Sequence, residues 1–217
     1  IALQDKNFIS AENHFRETLV LRPNDARASV NLAGVLLLQD RAQEGWAYYE
    51  RRVHEHSSIL DRPNQLPRWQ GEPIKGSLVL VHEQGLGDTF QFIRYAELLQ
   101  QQGLRCYFRG PQKLHGLIRD SGLASSCHTP DEPLPTDATA WIALMSLAPL
   151  LGASVQQPLT SGEPYLVVDQ ARVKRWQSTL GPCPGLRLAL HWQGNPDHEF
   201  TISRGRSLSL ETLSPLF

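Results

Sequence analysis

The chain predicts an α/β fold, in which a helical lead-in runs into a domain built on a parallel sheet. Three observations predict it. A helical pattern recurs at an offset of 34 residues near the start, a proline-bearing connector breaks that pattern, and from residue 77 short runs rich in leucine and β-branched residues alternate with helical periodicity. Alternation of this kind implies helices on both faces of the sheet and ligand sites outside the carboxyl ends of its strands.

The lead-in comes first. Ala11 and Phe15 stand four apart on one helix face and are followed by Pro23 and Asn24; Gly45 and Tyr49 stand in the same relation 34 residues on, the tetratricopeptide period. Small residues at Ala11 and Gly45 let paired helices approach, and Phe15 and Tyr49 fill the space between them. Leu32, Ala33, Leu36 and Leu37 form the apolar stripe of the helix between. About one and a half repeats are expected over residues 1–56, with an ordinary helical hairpin as the alternative. Stacked repeats present a surface to a protein or peptide partner. Trp46, Tyr48 and Tyr49 are read as inter-helix core, a ligand platform being the other reading.

Residues 57–76 read as a linker, with Pro63, Pro67 and Pro73 around Arg68-Trp69-Gln70-Gly71. Residues 77–83 read as a strand, residues 84–87 as a glycine loop and residues 88–101 as a helix carrying Phe90, Ile93, Leu98 and Leu99. A second strand is expected over 104–109, a helix with proline in its first turn over 111–119, and another helix over 143–151. Residues 77–185 thus form a Rossmann-like unit. Residues 186–192 read as a further buried strand, followed by a loop over 193–206 and a helix start at Ser209-Leu210-Glu211, so that residues 186–217 open another domain.

The totals exclude several classes of function. Among 217 residues, 21 Lys plus Arg stand against 22 Asp plus Glu, and a net charge of -1 provides no field to gather nucleic acid or an anionic membrane. The most apolar stretch, residues 138–153, is interrupted by Pro149 and falls short of the roughly 20 residues a membrane span needs. Cys106, Cys127 and Cys183 are odd in number and far apart, which fits reduced thiols and a cytoplasmic location. Ile1 opens the chain without a signal-like segment and Phe217 follows closely on a helix start, the pattern expected of a piece of a longer protein.

The chemistry concentrates in Glu83-Gln84-Gly85-Leu86-Gly87-Asp88-Thr89. Glycines after a strand permit positive φ angles and let a ligand approach the backbone, and the N–H groups that open the next helix can face an anion or a sugar. Asp88 there is either a helix cap or a general base for an acceptor hydroxyl. The loop lacks the Lys-Ser or Lys-Thr ending of a phosphate-binding P-loop and the third glycine of a dinucleotide fingerprint. His82, His191 and His198 would need tertiary proximity to bind a metal, so no metal site is expected.

The segment EQGLGDTFQFIRYA at 83–96, preceded by RWQGE at 68–72 and followed by HWQGNPDHEF at 191–200 and RGRSLSL at 204–210, resembles the bacterial tetratricopeptide-repeat glycosyltransferase-like family. That family is similar to the heptosyltransferases and, more distantly, to peptide O-GlcNAc transferase. The resemblance runs from GWAYYERR at residue 45 onward; Ala143 and Ala148 depart from it, standing where relatives are expected to carry proline. It implies a GT-B architecture, with an acceptor-side domain at 77–185 and only the start of the donor domain at 186–217. It further implies inverting, metal-independent transfer from a nucleotide sugar, the donor substrate, with no cofactor. Asp88 would be the catalytic base, and Gln84, Gly85, Gly87, Gln91 and Arg94 would bind substrate. Gly194, Asn195 and Arg206 would sit near the donor diphosphate. With so little of the donor domain, this chain alone is expected not to transfer sugar. The rival expectation is a tetratricopeptide interaction module with a non-catalytic α/β domain.

Overall fold

The first two helices begin where a side chain can accept from their free backbone N–H groups. Asn7 Oδ1 accepts from Ser10 N–H at 3.1 Å and starts α1 (Phe8–Leu21); Asp25 Oδ1 accepts from Ala28 N–H at 2.8 Å and starts α2 (Ala26–Leu38). Then come α3 (Ala42–Tyr49) and α4 (Arg52–Glu55). In the computed structural model, residues 7–55, 61–153, 159, 162–194 and 207–216 are described. Gly45 does what its size requires: a Cβ there would lie 2.9 Å from Leu37 Cγ and 3.2 Å from the Ala33 carbonyl oxygen on α2. Ala11 is likewise buried.

The sheet has four parallel strands, β1 (Ser77–Val81), β2 (Arg105–Arg109), β3 (Ser126–His128) and β4 (Ala138–Ala143), in the order β3-β2-β1-β4. All five residues of β1 are buried, as expected of a central parallel strand covered on both sides. Leu78 and Leu80 face one side with Cys106, Phe108, Ala140 and Ile142, while Val79 and Val81 face the other with Tyr107, Trp141 and Ala143. The first side is packed by α5 (Leu86–Ile93), α6 (Tyr95–Gln101) and α7 (Gln112–Asp120), through Phe92, Ile93, Leu99, Leu114 and Ile118. The second side carries Val53 of α4 together with Leu66 and Leu134 from loops. Helices are expected on both faces; the second face carries only the short α4 and is closed largely by connecting segments.

Several boundaries differ from the sequence reading. The helix expected over 88–101 begins two residues earlier and divides at Arg94 into α5 and α6. Residues 138–143, inside the apolar stretch whose end was read as a helix over 143–151, form β4. The helical part is reduced to a 3-10 turn at Leu144–Ser146 and α8 (Leu147–Leu150). Alanines at 138, 140 and 143 favour helix locally, but the position beside β1 supplies a full ladder of hydrogen bonds, and burial on both faces wins. The connector belongs to this sheet region too: Trp69 N–H donates to Trp141 O at 2.8 Å and Trp141 N–H to Pro67 O at 3.0 Å.

The chain divides into two compact units, residues 1–169 and 170–217. The helical lead-in and the sheet share the first. The second contains α9 (Gln170–Leu180) and a 3-10 segment at Leu210–Leu216, the latter where the helix start at Ser209 was expected. The buried strand expected over 186–192 does not form: Leu186 is 85% and Leu188 62% exposed. A strand needs a neighbour to pair with and a layer to cover it, and no strand is present among the described residues of 170–217. No helix among the described residues is long and apolar enough to cross a membrane.

Candidate functional site

The strand order reverses at β1, since the chain moves outward through β2 and β3 and returns to place β4 on β1's other edge. In open α/β sheets the crevice beyond such a reversal is the usual ligand position. Two loops meet there, residues 82–85 after β1 and the turn at 144–146 after β4. Glu83 spans them, its Oε1 accepting from Met145 N–H at 2.9 Å.

The glycine loop forms by a different local route from the one expected. The positive φ falls on Gln84 (58°), whereas Gly85 has a φ of -95°. Gly85 is the N-cap of α5, and Asp88, third in the helix, reaches back so that its Oδ2 accepts from Gly85 N–H at 2.9 Å. Asp88 is therefore the acid of a half capping box rather than the cap itself. A Cβ on Gly85 would lie 3.1 Å from that same Oδ2, so glycine here serves the close approach. Asp88 Oδ1 has no hydrogen-bond partner among the described residues, and the side chain is half-buried.

The other expected site residues separate. Gln84 turns its side chain toward the helical lead-in, Nε2 donating to Tyr49 Oη at 2.5 Å. Gly87 and Gln91 are exposed on α5. Arg94 stacks 4.6 Å above the Tyr165 ring and donates from Nη2 to Tyr165 Oη at 3.3 Å, while Tyr165 Oη donates to Phe90 O. Arg94 thereby ties the segment around Tyr165 to α5. Gly194 N–H donates to Ser207 Oγ at 2.8 Å within the second unit. Asn195, His198 and Arg206 lie outside the described residues.

A cluster of charges that the sequence reading did not single out occupies the reversal point. Arg52 Nε and Nη2 donate to Glu83 Oε2 and Oε1 at 2.8 and 2.7 Å; Arg52 is 5% and Glu83 3% exposed. Arg52 Nη1 also donates to Glu50 Oε1 at 2.9 Å, and Arg68 pairs with Glu50 Oε2. Ser146 Oγ joins them, accepting from Arg52 Nη2 at 3.1 Å and donating to Glu50 Oε1 at 2.9 Å. Two cations and two carboxylates balance, which is what makes so much buried charge tolerable. Burial pulls Glu50 toward the neutral acid, but Arg52 and Arg68 outweigh it and hold the carboxyl below its usual range. Arg52 stacks 4.2 Å over Tyr49, whose hydroxyl is pushed up to about 12, chiefly by burial. The available signal was a charged residue just past an apolar strand, at Glu83, and a serine inside an apolar run, at Ser146.

His82 leaves β1 with its N–H donating to Arg109 O at 2.8 Å and its Nδ1 2.6 Å from Thr89 Oγ1; burial pushes its pKa down. Among the described residues no group of three or more His, Cys, Asp or Glu is placed to hold a metal ion. Trp46 packs edge-on against Tyr49 and Phe92, at 5.6 and 6.2 Å between centroids, so Trp46 and Tyr49 join the core. No family model, curated protein or solved structure matches the chain.

Proposed function

We propose that the chain carries the acceptor side of an inverting sugar transferase of GT-B type, with Asp88 as general base. The carrying observation is Asp88's position: it lies in the first turn after the central strand, with one carboxylate oxygen bound to Gly85 N–H and the other without a partner among the described residues. Held by Oδ2, the carboxylate can offer Oδ1 to an acceptor hydroxyl, taking its proton as that oxygen attacks the anomeric carbon of a nucleotide sugar. Departing diphosphate would be met by donor-side groups, for which Gly194, Asn195 and Arg206 are the candidates on resemblance. The helical lead-in would be of tetratricopeptide type.

The test is Asp88→Asn in the full-length protein, assayed for transfer from UDP-, GDP- and ADP-sugars. Asparagine can still accept from Gly85 N–H, so stability should change by roughly 0–1 kcal/mol, while loss of a general base costs about 10²–10⁴-fold in turnover. Turnover within about threefold of wild type would leave Asp88 only its capping role.

A second reading has one observation in its favour. Arg52, Glu83, Glu50, Arg68 and Ser146 fill the crevice at the β1/β4 reversal with mutually paired charge. That arrangement suits an interaction module in which the α/β unit is a rigid platform for the helices. A full-length protein that binds no nucleotide sugar in calorimetric titration would favour it.

A further inference from the structure

We propose that the groove between α1 and α3 docks an acidic peptide segment that carries an apolar side chain beside its carboxylate. This inference is independent of the transferase reading, because the groove is formed by the helical lead-in alone. It has a volume of about 350 Å³ and is lined by Arg16, Leu19, Val20, Pro23, Tyr48 and Arg51, with no acidic side chain among them. Val20 is 79% exposed, so one wall is apolar and uncovered.

Charge decides the occupant. Arg16 is already neutralised, with Nη2 at 2.8 Å from Glu12 Oε1 and 2.5 Å from Glu44 Oε1. Arg51 is not: it forms no ion pair with any described carboxylate, and the one hydrogen bond of its side chain among the described residues is a long one, from Nη1 to Pro23 O at 3.5 Å. Its guanidinium carbon lies 4.7 Å from the Tyr48 ring centroid, so the ring holds the cation at the groove. A planar guanidinium held in this way matches a carboxylate through two parallel hydrogen bonds. Leu19, Val20 and Pro23 beside it would cover an aliphatic side chain one or two positions away. A basic segment would meet Arg51 with like charge, and a purely apolar one would leave Arg51 without a counter-ion.

The experiment uses the whole chain and two short fluorescein-labelled peptides, one alternating leucine with aspartate and the other with lysine in place of aspartate. Fluorescence anisotropy should show saturable binding of the acidic peptide, weakened at about 0.5 M salt, and little binding of the lysine peptide. Arg51→Glu and Val20→Asp, both on exposed positions, should each weaken binding about tenfold or more while the thermal unfolding curve stays unchanged. Absence of saturable binding, equal binding of both peptides, or indifference to both substitutions would overturn the proposal. Sedimentation of the protein alone adds one arm: a concentration-dependent dimer abolished by Val20→Asp would assign the groove to a second copy of the chain and also overturn it. Neither readout involves sugar transfer, so failure of one proposal leaves the other standing.

Discussion

Arg52, at the start of α4, grips Glu83, two residues past the end of β1, through both carboxylate oxygens. This pair locks the helical lead-in to the loop that leads into α5 and Asp88. Tyr49 strengthens the link, since it lies under Arg52 and accepts from Gln84.

Removing both members of that pair should cost less than the two single removals added together. Arg52→Met leaves Glu83 buried without its cation and should destabilise by about 3–5 kcal/mol, whereas Arg52→Met with Glu83→Met should cost less than the sum of the single changes. Urea unfolding of the two single variants and the double variant completes the cycle. Strict additivity would mean that the pair contributes no coupling.

Acid should loosen the helical lead-in over a defined range. Arg41 foremost, with Arg16 and Gln39, holds the Glu12 carboxyl down to about 2 from an ordinary 4.5, against the opposing effect of burial. Because the folded value is the lower one, the unfolded chain binds more protons between the two. The stabilisation is therefore complete above about 4.5 and is lost as pH falls toward 2. Thermal unfolding of Glu12→Gln should show a flatter pH dependence across that window than wild type.

Gly76 and Gly87 should respond oppositely to alanine. A Cβ at Gly76 would lie 2.3 Å from the Asp137 carbonyl oxygen, which also accepts from Ser77 N–H at 2.8 Å, so Gly76→Ala must displace the start of the β1/β4 ladder. A loss of roughly 1–3 kcal/mol is expected. A Cβ at Gly87 meets nothing within 4 Å, and Gly87→Ala within α5 should stabilise by roughly 0.5–1 kcal/mol. Chemical-denaturation midpoints compare the two.

The three thiols should react in an order set by burial. Cys183 is exposed, while burial pushes Cys127 up to about 11 and Cys106 up to about 12. A disulfide reagent at neutral pH should therefore modify one thiol rapidly and the other two only as the protein unfolds. Rapid release of more than one equivalent would contradict this packing.

What the sequence determined by itself was local and periodic. Ala11 and Gly45, 34 residues apart, are small residues that both end up buried, and at Gly45 a side chain would crowd α2. The run at 77–81 is legible as a central strand because burial on both faces demands an unbroken apolar segment. Asp88 was legible as a residue of the first helical turn after that strand. Tertiary structure alone decided the rest. Residues 138–143 became strand because an edge of β1 was open to them, and residues 186–192 did not because no described strand in their unit offers one. Arg52, Glu50, Glu83, Arg68 and Ser146 are spread over nearly a hundred positions and follow no common period. Only the chain reversal that sets β4 beside β1 brings them within hydrogen-bonding distance, and a charge balance that depends on such distances leaves no mark on local sequence.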